Sequence, residues 1–309
     1  MKNFYLNAIF QLSAIFVIVG LFIFDGLDVE KIKFIFKPKI AFLLIYLFIL
    51  KIVIAYLFFI IINFITEKKN SFGNIASTFL QGGIVNQLLP AAGLLFKYYK
   101  FKHIHSISLA QYSTSQAILS ISSLLSYVIL ASIFGFLMIV NFNTINFLYI
   151  VLSVILLTIL FFLLKNKLYL IIRNNLLKVN RISSLINELI NIKKLVIYRK
   201  KKLLFIFFGF LFLAALESAA FYFAVYLYEV EMNLIKAIFL YLNTSLLTII
   251  FLINFIGLFE IILVLSSSLI LSNYTDMIYI SLGFKVLNTL ALVLAIIFFS
   301  CVNTLKKYN

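Results

Sequence analysis

Apolar residues run in blocks long enough to cross a bilayer, at 6–24, 40–65, about 112–140, 145–164, 203–228 and 277–301. A hydrocarbon core takes about 20 helical apolar residues to span, so each block predicts one transmembrane α-helix. Two further apolar regions, 71–96 and 234–272, are interrupted in the middle. The first is broken by Gln81, Gly82, Gly83, Asn86, Gln87, Pro90 and Gly93, the second over Asn254–Gly257. Backbone groups freed by such breaks need partners from protein or a water-lined site.

The connecting segments give orientation. The segment 165–202 holds eleven Lys or Arg against the single acid Glu188, which places it in the cytoplasm. Lys306 and Lys307 put the C-terminus on that side, Lys2 the N-terminus, and the acidic Glu229 and Glu231 fall outside. Lys68 and Lys69 precede the first broken region and Lys97, Lys100 and Lys102 follow it, so the chain enters and leaves there from the cytoplasm. That region predicts a hairpin. The second runs from the 229–231 turn to Asn273 and Asp276, with both ends outside, and fits either two short spans or a deep re-entrant pair. Hairpins of opposite direction, each associated with a Ser-rich stretch, predict an inverted-topology repeat whose discontinuous helices meet near the midplane. The alternative is two separately kinked helices. The expected fold is an all-α polytopic membrane bundle with two re-entrant or broken hairpins, in one integral membrane domain over 1–309.

Composition agrees with the blocks: 64% hydrophobic, 12% charged, mean hydropathy +1.16. A soluble domain is nearer half apolar and a quarter charged, so an ordinary globular or disordered chain is excluded. The net charge of +16 lies mostly at the ends of apolar runs, where it carries topology and leaves no nucleic-acid footprint. With no Trp and 17 Tyr, any interfacial aromatic belt falls to Tyr. Cys301 is the only cysteine, which excludes disulfide scaffolds and dithiol chemistry. His103 and His105 diverge on a helix, so neither a metal site nor any other cofactor is expected. The run Leu6–Phe24 has no small-x-small cleavage site before Asp25 and predicts a retained span in a bacterial plasma membrane. The 165–202 segment alternates apolar and basic residues, as a topology anchor or an interfacial helix does.

Four ionisable residues stand inside apolar runs: Lys51, Glu217, Glu260 and Lys285. Each costs about 2.5–3.5 kcal/mol at a helix centre, so each should face the protein interior or a wet cavity and pair. Such a set suits a charged headgroup that crosses while its lipid tail stays in the bilayer. A phosphate would be drawn by Lys51, Lys285 and the helix N-termini at the breaks.

The stretch Asn86-Gln-Leu-Leu-Pro-Ala-Ala-Gly93, followed by Lys97, Tyr98, Tyr99, Lys100 and Ser108–Tyr112, resembles a signature of the lysylphosphatidylglycerol synthase transmembrane family, the flippase-like membrane proteins. Phe255-Ile-Gly-Leu-Phe-Glu260 is similar to its second signature, and Lys285 stands where the family carries a basic residue. The chain departs from the pattern at Asn254–Ile256, at Leu94 and Leu95, and at Gln116, where many members have Arg. The resemblance implies lipid translocation; its motifs together with the intramembrane charges give Lys51, Asn86, Pro90, Gly93, Lys97, Glu217, Gly257, Glu260 and Lys285 as the candidate substrate-binding set, with no catalytic residue. The substrate would be an anionic phospholipid or a polyprenyl-phosphate-linked sugar, and the partners glycosyltransferases or an aminoacyl transferase. No soluble transferase module is expected, so lysyl transfer is not. Two rival readings remain: a solute or ion transporter using the four charges as a relay, and a polyprenyl-phosphate-sugar glycosyltransferase using Asp25, Asp28 and Glu30.

Overall fold

The computed structural model describes residues 38–66, 70–88, 92–142, 199–250, 263, 266–267 and 275–308. The expected spans 6–24 and 145–164, nearly all of 165–202, Pro90 and the 251–262 break with Gly257 and Glu260 lie outside the described residues. Within them the chain is helical: α1 Lys39–Thr66, α2 Phe72–Leu88, α3 Ala92–His105, α4 Leu109–Phe142, α5 Lys200–Leu227, α6 Leu234–Ile250 and α7 Thr275–Tyr308. No strand occurs among the described residues.

Four of these helices, α1, α4, α5 and α7, are long and apolar enough to cross a membrane, with mean hydropathy of 2.1–2.8 over their most apolar windows. Less than two fifths of each window is buried within the protein. The remaining faces expose large apolar side chains, among them Phe42, Phe136, Phe212 and Ile297. Faces this apolar need lipid as solvent, since water would penalise them at about 25 cal/mol per Å². The protein is a multi-pass membrane protein.

Helix ends follow from local chemistry. Ser108 Oγ accepts from the Gln111 amide (3.1 Å) and Gln111 Oε1 accepts from the Ser108 amide (3.1 Å), a reciprocal cap that starts α4. Asn233 caps α6 by accepting from the Ile235 amide at 2.9 Å. α5 stops in a Schellman turn: Glu229 takes φ 57°, its amide donates to Tyr226 O and the Val230 amide to Val225 O.

α1 is the central helix and touches α2, α4, α5 and α7. It divides two apolar cores. One joins α1 to α4, α5, α6 and α7 around Phe210, Phe221 and Leu242; the other joins α1, α2, α3 and α7 around Phe58, Phe79 and Phe299. Phe58 stacks on Phe79 with centroids 4.4 Å apart and leans on Phe101 at 5.7 Å. Buried hydroxyls in the bundle, such as Ser126, Ser218 and Thr244, donate to carbonyls four residues earlier, which satisfies them in apolar surroundings.

In the 71–96 region α2 and α3 pack against each other, and the glycine pair breaks neither helix. Gln81 to Leu88 stay helical, and α3 begins at Ala92. Gly82 instead makes room for the Lys97 stem, and Gly83 lets α2 lie against Leu292 of α7. Close approach offsets the roughly 1 kcal/mol that glycine costs within a helix. The two arms are antiparallel. Gly93, opposite Asn86, sits where an added Cβ would strike the Gly82 carbonyl and the Asn86 amide. Neither is a side-chain end that can swing away. Gly93→Ala should therefore lower stability by about 1–3 kcal/mol, the scale of overpacking, read as an earlier thermal unfolding midpoint in detergent. An unchanged midpoint would mean that the arms are not this close.

Candidate functional site

Three intramembrane charges come together from three helices. Lys51 lies roughly 18 Å along α1 from Lys39, Glu217 roughly 15 Å from the Leu227 end of α5, and Lys285 roughly 15 Å along α7 from Thr275, at 1.5 Å rise per residue. Those three ends share one side of the bundle: Pro38 and Lys39 line a cavity with Tyr226 and Leu227, and Gly283 packs against the Tyr228 hydroxyl. All three charges thus lie inward from that side of the bundle. Lys51 is in electrostatic range of Glu217, which attracts it, and of Lys285, which repels it. Each of the three is half-buried.

Tyrosines surround the carboxylate. The Tyr127 hydroxyl on α4 donates to Glu217 Oε2. Tyr127 is also hydrogen-bonded to Tyr241 of α6, which bonds Ser245 in turn. Tyr46 on α1 is close enough to feel the Glu217 charge, and its hydroxyl donates to the neighbouring Leu216 carbonyl at 3.0 Å. Five helices contribute to the cluster. Burial pushes the Tyr228 phenol, at the mouth of this end, up to about 12, so it stays neutral as it packs on Gly283.

The C-terminal end of α2 reaches the same region. Thr289 Oγ1, one turn past Lys285, lies 2.9 Å from the Lys285 carbonyl and 3.2 Å from Gln87 Oε1 on the last turn of α2. At the other end of α2, Gly73 is against Asn303. α2 therefore runs back along α7 from near its C-terminal end to its middle. Asn86 and Gly93 belong to the crossing of the hairpin arms. Lys97 stands apart from the three charges, with its Nζ 4.4 Å from the Phe79 ring centroid, and Lys100 donates to Gln81 Oε1 at 2.9 Å.

The chain matches no protein-family model, no curated protein and no solved structure.

The cluster's chemistry can still be read. Two cations and one carboxylate leave a net positive charge among its described residues, beside tyrosine hydroxyls and the polar hairpin end. Such a site suits an anion with neighbouring hydroxyls. His103 is exposed against Tyr99, while half-buried His105 leans on Phe101 and burial lowers its pKa.

Sequence reasoning located the charges but missed Tyr46, Tyr127, Tyr241 and Thr289. Tyrosine was assigned to the interfacial belt, and these three lie among the charges instead. A signal was present: Tyr127 and Tyr46 stand far inside apolar runs, where a phenol hydroxyl needs a partner. Ser245 lies in the run Asn243-Thr-Ser-Leu-Leu-Thr248, whose four polar members are all buried.

Proposed function

We propose that the protein moves a lipid across a bacterial plasma membrane, with the anionic or sugar-linked headgroup passing the Lys51–Glu217–Lys285 cluster while the tails stay in the bilayer. The observation that carries this reading is the convergence of Glu217 and Lys285 on Lys51 from three helices, with a net positive charge that an anion would balance. Intramembrane charges are costly and mark substrate or ion pathways by default. The polar hairpin end beside Lys285 supports a re-entrant α2–α3 element, since α2 and α3 have 17 and 14 residues, short of a full crossing. The resemblance to the lysylphosphatidylglycerol synthase transmembrane family points the same way. On this reading both termini are cytoplasmic, the 234–272 region is the oppositely directed counterpart of α2–α3, no residue is catalytic, and the donors of the substrate are glycosyltransferases or an aminoacyl transferase.

The test is reconstitution of the purified chain in liposomes that carry labelled phosphatidylglycerol or a labelled polyprenyl-phosphate sugar. Accelerated exchange between leaflets is expected, slower in Glu260→Gln. No exchange across both lipids, with solute uptake by vesicles that lack them, would replace this reading with the solute transporter.

A further inference from the structure

Three cavities lie along one line, the seam where α1 packs on α5. At one end Pro38 and Lys39 meet Tyr226 and Glu229 around about 530 Å³. Next, about 430 Å³ opens between Phe42, Ile45 and Tyr46 of α1 and Ala219, Ala220 and Phe223 of α5. At the other end about 410 Å³ lies between Phe59, Ile60 and Asn63 of α1 and Lys201, Lys202 and Phe205 of α5. Between the last two, Gly209 draws the helices together against Leu57.

The Lys201–Lys202 cleft has a vertical order. α5 begins at Lys200, so both ammonium groups stand at the helix mouth, where an embedded helix meets lipid phosphates. One turn deeper, Phe205 is 60% exposed, and Phe208 and Phe212 continue the stripe at 59% and 63%. Across the seam Tyr56 and Ile49 of α1 are exposed at 49% and 51%. Asn63 Oδ1 is taken up by the Asn70 side chain at 2.8 Å and by its backbone amide at 3.3 Å, which leaves the Asn63 amide nitrogen as the donor for a ligand. Among the described residues no acid lines this cleft. Cations and an amide above an apolar, aromatic trough match a phosphate above acyl chains.

We propose that this end of the seam binds an anionic phospholipid of the surrounding bilayer, with its phosphate on Lys201, Lys202 and Asn63 and its chains along Phe59, Phe205 and the stripe beyond. The site requires only that the chain is embedded in a membrane, and it stands whether or not the protein transports lipid. A lysine near the membrane surface attracts anionic lipid by electrostatics that any lysine could supply. The cleft adds shape, and that difference is testable.

The full chain would be reconstituted with equal phosphatidylglycerol and phosphatidylcholine, and the lipids retained by the protein counted by native mass spectrometry. Wild type should retain phosphatidylglycerol preferentially. Lys201→Gln and Lys202→Gln should each lower that preference about fivefold, the scale of one juxtamembrane cation. Lys306→Gln/Lys307→Gln removes as much charge as the two together, and should lower the preference by less than either cleft variant alone. Equal loss in both sets, or displacement of the lipid by millimolar inorganic phosphate, would overturn the proposal. Retained lipid with no transport would remove the proposed function and leave this site standing.

Discussion

Lys285→Gln is expected to slow lipid exchange by about 10- to 100-fold while the thermal unfolding midpoint holds or rises. The two halves of that result have different causes. Lys285 repels Lys51, so the native protein holds two like charges in electrostatic range with Glu217 as their described counter-charge. Glutamine removes the repulsion and keeps a polar side chain of similar length. The Thr289 bond to the Lys285 carbonyl involves backbone and survives the change. Stability should therefore not fall. A charge-assisted contact to a substrate anion contributes about 1.5–3 kcal/mol, which corresponds to the rate loss given above if it is made in transit. Function and stability would part in opposite directions, as expected of a residue kept for its substrate. Leaflet exchange and a melting curve on the same preparation measure both. Full exchange in the variant would remove Lys285 from the pathway, and a collapse of the midpoint would make it a packing residue.

What was legible in the sequence follows the physics of the bilayer. Blocks of apolar residues identified α1, α4, α5 and α7 to within three residues, except that α7 runs seven residues past its block to Tyr308, because length and hydropathy alone decide whether a helix can cross. Lys51, Glu217 and Lys285 stood out for the same reason: a charge in an apolar run is costly wherever its helix packs. Their meeting could not be read, since it depends on the rotation of three helices separated by long stretches of chain. Gly82 and Gly83 were read as breakers because glycine is a poor helix former. Their use here, to admit the Lys97 stem and Leu292, is a matter of tertiary contact that propensity does not encode. The tyrosines were missed on similar grounds. A phenol serves an interface or a buried network equally well, and only the position of Glu217 across the bundle selects between them for Tyr127.

Glu217→Gln should destabilise the protein by about 1–3 kcal/mol, the usual range for removing one member of a coupled charge network. Glutamine can still accept from Tyr127, so the hydrogen bond is retained and the loss reports the charge. Without the carboxylate, Lys51 and Lys285 repel each other with no described counter-charge between them. A second change then decides the interpretation. Lys51→Met keeps an unbranched apolar stem in α1 and removes the cation that Glu217 attracts. If the pair is coupled, Lys51→Met/Glu217→Gln should recover about 1–3 kcal/mol relative to the sum of the two single variants, the usual range for residues in one network. Additive losses would mean that Glu217 is held by its tyrosines alone. Recovery of stability without recovery of lipid exchange would separate the roles: the pair would fix the packing of α1 on α5, and the positive charge left over by Lys285 would be what meets the headgroup.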